Sequence, residues 1–214
     1  MQLLIVAKRP EPGRAKTRLI PAFGAEGSAS LAAAALADTF DAARASGADR
    51  VVVSFDGDPT GVVPGDFEVV PQRHGDLAER LAGAWAAVDG PALQIGMDTP
   101  QVTGDDLASA FGTLEAHGTD AVLGLADDGG WWAIGLRQPA DVFAGIATSR
   151  PDTGRRQLAR LHDLGLVTSL LAQFRDVDLP ADVAAVAGAA PGTRFAMVAA
   201  ELADLALVAG PQAR

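Results

Sequence analysis

Both lysines of this chain, Lys8 and Lys16, fall in one stretch, KRPEPGRAKTRL (8–19), together with Arg9, Arg14 and Arg18; every other basic residue is an arginine. The whole chain carries a formal charge of -10, so an acidic protein gathers positive charge into one segment. Pro10, Pro12 and Gly13 set a wide turn in which backbone amides can approach an anion. Arginine forks suit bidentate phosphate recognition, and a lysine can stabilise a departing phosphate as a point charge. Alternatively, the segment is a solvated loop. The glycine-rich GxxxxGK[ST] order is absent, which argues against a Walker-type ATPase.

Carboxylates recur just after the apolar runs: Asp56 and Asp58, then Asp98, then Asp127 and Asp128, then Asp176 and Asp178. Acids and a cationic loop on one rim suit a metal ion bridging to phosphate oxygens. Asp98, in IGMDTP, is either a metal ligand or a turn residue. Asp127 and Asp128, in ADDGGWW, are either catalytic acids or part of a hairpin turn, for which Asp-Gly is a strong signal. Trp131 and Trp132 should alternate across a strand, one packing inward and the other lining a sugar or acceptor pocket. His74, His117 and His162 show no zinc-ligand spacing, and Ser54 and Ser149 lack a GxSxG context. Asp152 and Asp182 read as first-turn helix acids. With no cysteine, a disulfide framework, a thiolate metal site and a cysteine nucleophile are all excluded.

The elements that must position these residues follow from hydrophobic patterning. Continuous apolar runs at 2–7, 50–55, 67–71, 92–96 and 120–126 suit strands buried on both faces of a parallel sheet. Helical patterns lie between most of them: 25–46 with Gly47 as its stop, 76–88, and 105–117 opened by Thr103 with Asp106 three residues on. The run 129–136 follows the fifth strand after a short turn and should pair antiparallel, giving a mixed sheet. A helix follows Ser149, then a short strand near 167–171, then one alanine-rich helix over 180–208. The 214 residues fit one domain, a doubly wound, Rossmann-like α/β sheet. No apolar run reaches the ~18 residues of a membrane span, and the start lacks a signal-peptide pattern, so the expectation is a cytoplasmic protein. The net charge disfavours nucleic acid as a partner. The helix 25–46 could pack against its own sheet or against a second copy in a homodimer.

The order AKRPEPGRAKTRL, PQRHGDLAERL, IGMDTP, LADDGGWWAIGL, RDVDLPADV resembles the DUF2064 family of GT-A-fold proteins across residues 2 to 185. That family is in turn similar to guanylyltransferases that activate phospholactate or phosphoenolpyruvate. The resemblance implies a single GT-A domain over 1–214, three-layered α/β/α with a mainly parallel mixed sheet. It implies a nucleotide bound by Ala7, Lys8, Pro12, Gly13, Arg14, Lys16, Thr17 and Arg18, by Ser54 and Asp56, and, beside the base, by Gln72, Gly75 and Leu77. Asp98 and Asp178 would hold Mg2+ or Mn2+, Lys16 with Asp127 or Asp128 would be catalytic, and Trp131 and Trp132 would line the acceptor pocket. Two positions depart from the pattern. The usual Asp-x-Asp is a single carboxylate, Met97-Asp98-Thr99, and a tryptophan-serine pair is replaced by Ala147-Thr148-Ser149. The leading expectation is glycosyl transfer from a nucleotide-diphospho-sugar to a small acceptor. Nucleotidyl transfer from an NTP to a phosphorylated acid, and a catalytically degenerate nucleotide-binding protein, are the alternatives.

Overall fold

Seven strands form one sheet in the order β3-β2-β1-β4-β6-β5-β7, comprising Gln2–Lys8 (β1), Arg50–Asp56 (β2), Glu68–Pro71 (β3), Ala92–Ile95 (β4), Ala121–Leu125 (β5), Trp131–Leu136 (β6) and Thr168–Leu170 (β7). The computed structural model describes residues 1–146 and 150–209. All strand pairings are parallel except those of β6, which runs antiparallel to both β4 and β5. The short turn doubles β6 back on β5, and the other edge of β6 pairs with β4. This is the mixed, mainly parallel sheet expected from the sequence.

Alternate strand residues face opposite layers. Leu3, Ile5, Val53, Leu93, Ile95 and Val122 pack against Ala32, Leu36 and Phe40 of α1 (Ile20–Ala45) and against Leu107, Phe111 and Leu114 of α3 (Gly104–Glu115). On the other face Leu4, Val52, Leu123 and Ile134 meet Leu81, Ala84 and Trp85 of α2 (Leu77–Trp85) and Leu161 of α4 (Thr153–Asp163). Helix starts are fixed by side chains. Asp106 N–H donates to Thr103 Oγ1 (3.2 Å) while Thr103 N–H donates to Asp106 Oδ2 (2.9 Å), and Asp76 with Glu79 makes the same reciprocal cap on α2.

The alanine-rich tail is two helices, α5 (Pro180–Ala189) and α6 (Arg194–Ala209), rather than the single helix its composition suggests. Pro191 and Gly192, the latter at φ 90°, break it. The break lets α6 turn back onto α1, where buried Asp38 accepts from the N–H groups of Arg194 (3.0 Å) and Phe195 (2.8 Å) and so caps α6. By length and composition Thr17–Ala45 would suffice to cross a membrane, with mean hydropathy 1.3, a span that inspection of apolar runs alone misses. Half of that window is buried inside the fold, and its alanines permit close packing against α3 and α6.

Candidate functional site

In open α/β sheets a ligand crevice forms at the carboxyl ends of the strands where the strand order reverses. Here β1 leads outward to β2 and β3, while β4 begins the other half, so the reversal lies between β1 and β4. The segments leaving those two strands are the basic loop and Gly96-Met97-Asp98. A cavity of about 610 Å³ opens beside them, its lining including the charged Asp98, Asp128, Asp176, Asp178, Arg18 and Arg150 and the apolar Val6, Leu77, Leu81 and Trp131.

Lys16 lies outside the lining and reaches it through Asp98. Its side chain is 10% exposed, and its ammonium lies 2.7 Å from Asp98 Oδ1 and donates to the Val177 carbonyl. Its backbone has φ 47°, making it the single non-glycine residue with positive φ among those described. A side chain in the left-handed region costs about 1 kcal/mol or more, a strain that commonly marks functional positions. Arg18 pairs with Asp178, whose own N–H is held by Asp182 (3.1 Å) at the start of α5. Asp182 is thus the first-turn acid its sequence position implies.

Among these acids Asp176 carries a perturbed carboxyl. Burial, then the charge of Asp128, and in smaller part that of Asp98, push its carboxyl up to about 6, against the opposing pull of its backbone hydrogen bond and of Lys16. The sequence presents Asp176 only as half of an acidic pair; in the structure Asp178 is taken by Arg18, whereas Asp176 meets the charges of Asp128 and Asp98. Asp128 turns its Oδ1 back to accept from Gly130 N–H (2.6 Å) and lines the cavity. Asp127 points elsewhere: it accepts from Gln173 Nε2 (2.9 Å) and Arg175 Nε (3.2 Å). The glycine pair does more than turn a hairpin. Gly129 carbonyl accepts from Gly154 N–H (2.8 Å) at the start of α4, and a Cβ on Gly129 would lie 1.9 Å from the Pro151 carbonyl oxygen.

Trp132 is 5% exposed, donates its indole N–H to Ala172 O (2.9 Å) and packs edge-on against Phe174, while half-buried Trp131 stacks with Phe143. Both border the cavity. The other residues expected at a nucleotide are less gathered. Leu77 and Arg18 line the cavity, whereas Ala7, Lys8, Pro12, Gly13, Arg14, Thr17, Ser54, Asp56, Gln72 and Gly75 lie outside its lining. Arg14 is 75% exposed and reaches Glu11 (2.9 Å). Gln72 Nε2 bridges the carbonyls of Ala7 (2.9 Å) and Ser54 (3.0 Å), tying the ends of β1 and β2 together. Gly75, at φ 132°, leaves room for the Glu79 carboxylate that caps α2. Among the described residues no three His, Cys, Asp or Glu side chains are grouped to hold a metal ion. Ala147, Thr148 and Ser149 lie outside the described residues.

A family model described as an uncharacterized protein conserved in bacteria, DUF2064, matches residues 29–150. No curated protein matches the chain. Among solved structures it is similar to one from Desulfovibrio desulfuricans provisionally described as a nucleotide-diphospho-sugar transferase, with TM-score 0.85, 24% identity and 95% of each chain covered. It is also similar to Rv0371c of Mycobacterium tuberculosis in complex with manganese (TM-score 0.53, 23% identity, 86% of this chain and 97% of that one). A third is CMP:2-keto-3-deoxy-manno-octonic acid synthetase complexed with CTP (TM-score 0.56, 13% identity, 94% and 99% covered). At these identities the likeness is one of fold.

Proposed function

The chain belongs to the DUF2064 family, and on that premise we propose that it is a metal-dependent transferase that passes a glycosyl group from a nucleotide-diphospho-sugar to a small acceptor. The observation that carries this reading is the meeting of the Lys16–Asp98 pair with Asp128 and Asp176 at the point where the strand order reverses. Carboxylates left facing one another in a cleft are a recurrent mark of a site that takes a cation.

The donor set fits a hard divalent ion. Asp98 and Asp176, together with the Arg18-paired Asp178, would hold Mg2+ or Mn2+. One or two carboxylates suffice for such an ion when substrate oxygens and water complete its shell. When bound, it neutralises charge on the diphosphate leaving group. Lys16 and Arg18 add fixed positive charge for the same phosphates. Asp128 is the group on hand to take a proton from an acceptor hydroxyl, and Trp131 offers an aromatic face to a sugar ring.

Exposed Lys8 and Arg14, outside the cavity, support a second reading. A triphosphate has one more phosphate to bind, which suits nucleotidyl transfer. A thermal-shift panel of UDP, GDP, their sugars, UTP and GTP, each with and without Mn2+, separates the two. A ligand at 100 times its dissociation constant adds roughly 2.7 kcal/mol of stability. A metal-dependent shift with a diphosphate and its sugar is the expected result. A shift confined to one triphosphate favours nucleotidyl transfer, and no shift with any ligand rejects both.

A further inference from the structure

Strand β4 reads Ala92-Leu93-Gln94-Ile95, one carboxamide in an otherwise apolar run. Gln94 is 1% exposed. It lies opposite Leu4 of β1 and Ile134 of β6, and so on the face that packs against α2 and α4. The Trp85 indole N–H donates to Gln94 Oε1 at 2.7 Å. An indole nitrogen only donates, so this bond fixes which end of the amide is oxygen. Trp85 is itself 4% exposed and wedged beside Leu81 and Ala84 of α2, which keeps the clamp from swinging. Gln94 lines the cavity floor, and its Nε2 has no hydrogen-bond partner among the described residues.

Gln94 Nε2 is not among the fully buried unpartnered atoms, so its N–H groups open to the cavity, where with the oxygen spent on Trp85 they are left to meet a ligand acceptor. The adjacent lining, Val6, Leu77 and Leu81, offers no such acceptor from its side chains. We propose that Gln94 is a specificity-determining residue whose Nε2 reads an oxygen acceptor, a hydroxyl or carbonyl oxygen, on the non-phosphate part of the substrate, with Trp85 as the positioning residue that fixes the donor. Because the amide can present only donors, an ammonium group at that point is rejected. The identity of the substrate rests on the transferase reading above, and the oxygen has two possible sources: the glycosyl group of the donor, or the acceptor molecule.

The first test needs no nucleotide. The Gln94 side-chain amide resonances, assigned by their loss in Gln94→Met, are followed by NMR as cyclohexanol, cyclohexanone and cyclohexylamine are added in turn. Shifts with the two oxygen-bearing probes and none with the amine are expected. Resonances unmoved by every probe, or moved equally by the amine, would overturn the inference. The second test uses Gln94→Glu, which turns the donor into an acceptor, beside Trp85→Phe, which keeps the glutamine and frees it to rotate. Against a nucleoside diphosphate and its sugar with Mn2+, weakening of the sugar nucleotide alone by about tenfold places the oxygen on the glycosyl group. An unchanged sugar nucleotide with a rise in KM for the acceptor at constant kcat places it on the acceptor. Variants that match the wild type in every parameter reject the assignment. Absence of nucleotide binding by the wild type rejects the transferase reading alone, and the NMR titration still decides the role of Gln94.

Discussion

The two ends of the sheet treat the same residue types in opposite ways. At the amino end, the Met1 ammonium pairs with Asp49, Arg50 with Glu68 (2.8 Å), and Arg44 with Asp66 (2.9 Å) while lying 5.2 Å over the Phe67 ring. Asp49 and Asp66 are held below the usual carboxylate range, chiefly by the hydrogen bonds from those partners. At the carboxyl end the outer acids are likewise paired, Asp178 with Arg18 and Asp127 with Arg175. The inner ones are not settled. Asp98 and Asp176 share Lys16, and burial with the charge of Asp128 drives Asp176 up to about 6. Paired charges on a surface contribute little and ask for nothing more, whereas like charges held together by the fold are relieved by a proton or a bound cation and mark candidate functional sites.

The contrast is broken most directly at Asp98. Its side chain is 49% exposed, so Asp98→Ala should leave the fold intact while lowering metal-dependent nucleotide affinity by about 100-fold or more. Titration calorimetry with Mn2+ measures this, and full retention of metal-dependent binding would remove Asp98 from the site. Next comes the loop that carries Asp128. Gly129→Ala requires a Cβ 1.9 Å from the Pro151 oxygen at φ 89°, and should destabilise the protein by about 3 kcal/mol in denaturant unfolding. A loss below about 1 kcal/mol would show that α4 does not fix the loop.

Asp176 sharpens the comparison through pH. Its folded value of about 6 exceeds the ordinary carboxyl value of 3.8, so the folded state binds the extra proton between those limits. Its contribution to stability is therefore fully present below pH 3.8 and is lost as pH rises through about 6. In metal-free buffer, Asp176→Asn should raise Tm at pH 8 and match the wild type at pH 4, and a Tm difference independent of pH would contradict the repulsion. The smallest effect belongs to the amino end. Arg50→Ala should change stability by about 1 kcal/mol or less and leave ligand binding untouched, as a thermal-shift comparison would show.

What the amino-acid sequence determined is what depends on near neighbours in the chain. The buried strands are legible as apolar runs because both faces of a parallel sheet exclude water. The start of α3 is legible in Thr103 and Asp106, since a cap is completed within three residues. The placing of acids just after strands is legible for the same reason. Only the tertiary structure decided that β6 lies between β4 and β5, that Pro191 and Gly192 fold α6 back onto α1, and that Asp127 turns to Arg175 while Asp128 turns to the cavity. It alone gave Gln94 a meaning: in sequence it is one polar residue in a strand, and its fixed donor exists only because Trp85 reaches it from α2. Hydrophobic period encodes which face is buried but not which strand lies beside which. The electrostatics of Lys16, Asp98, Asp128 and Asp176 depend on distances across four separate segments, and those distances exist only once the strands have found their order.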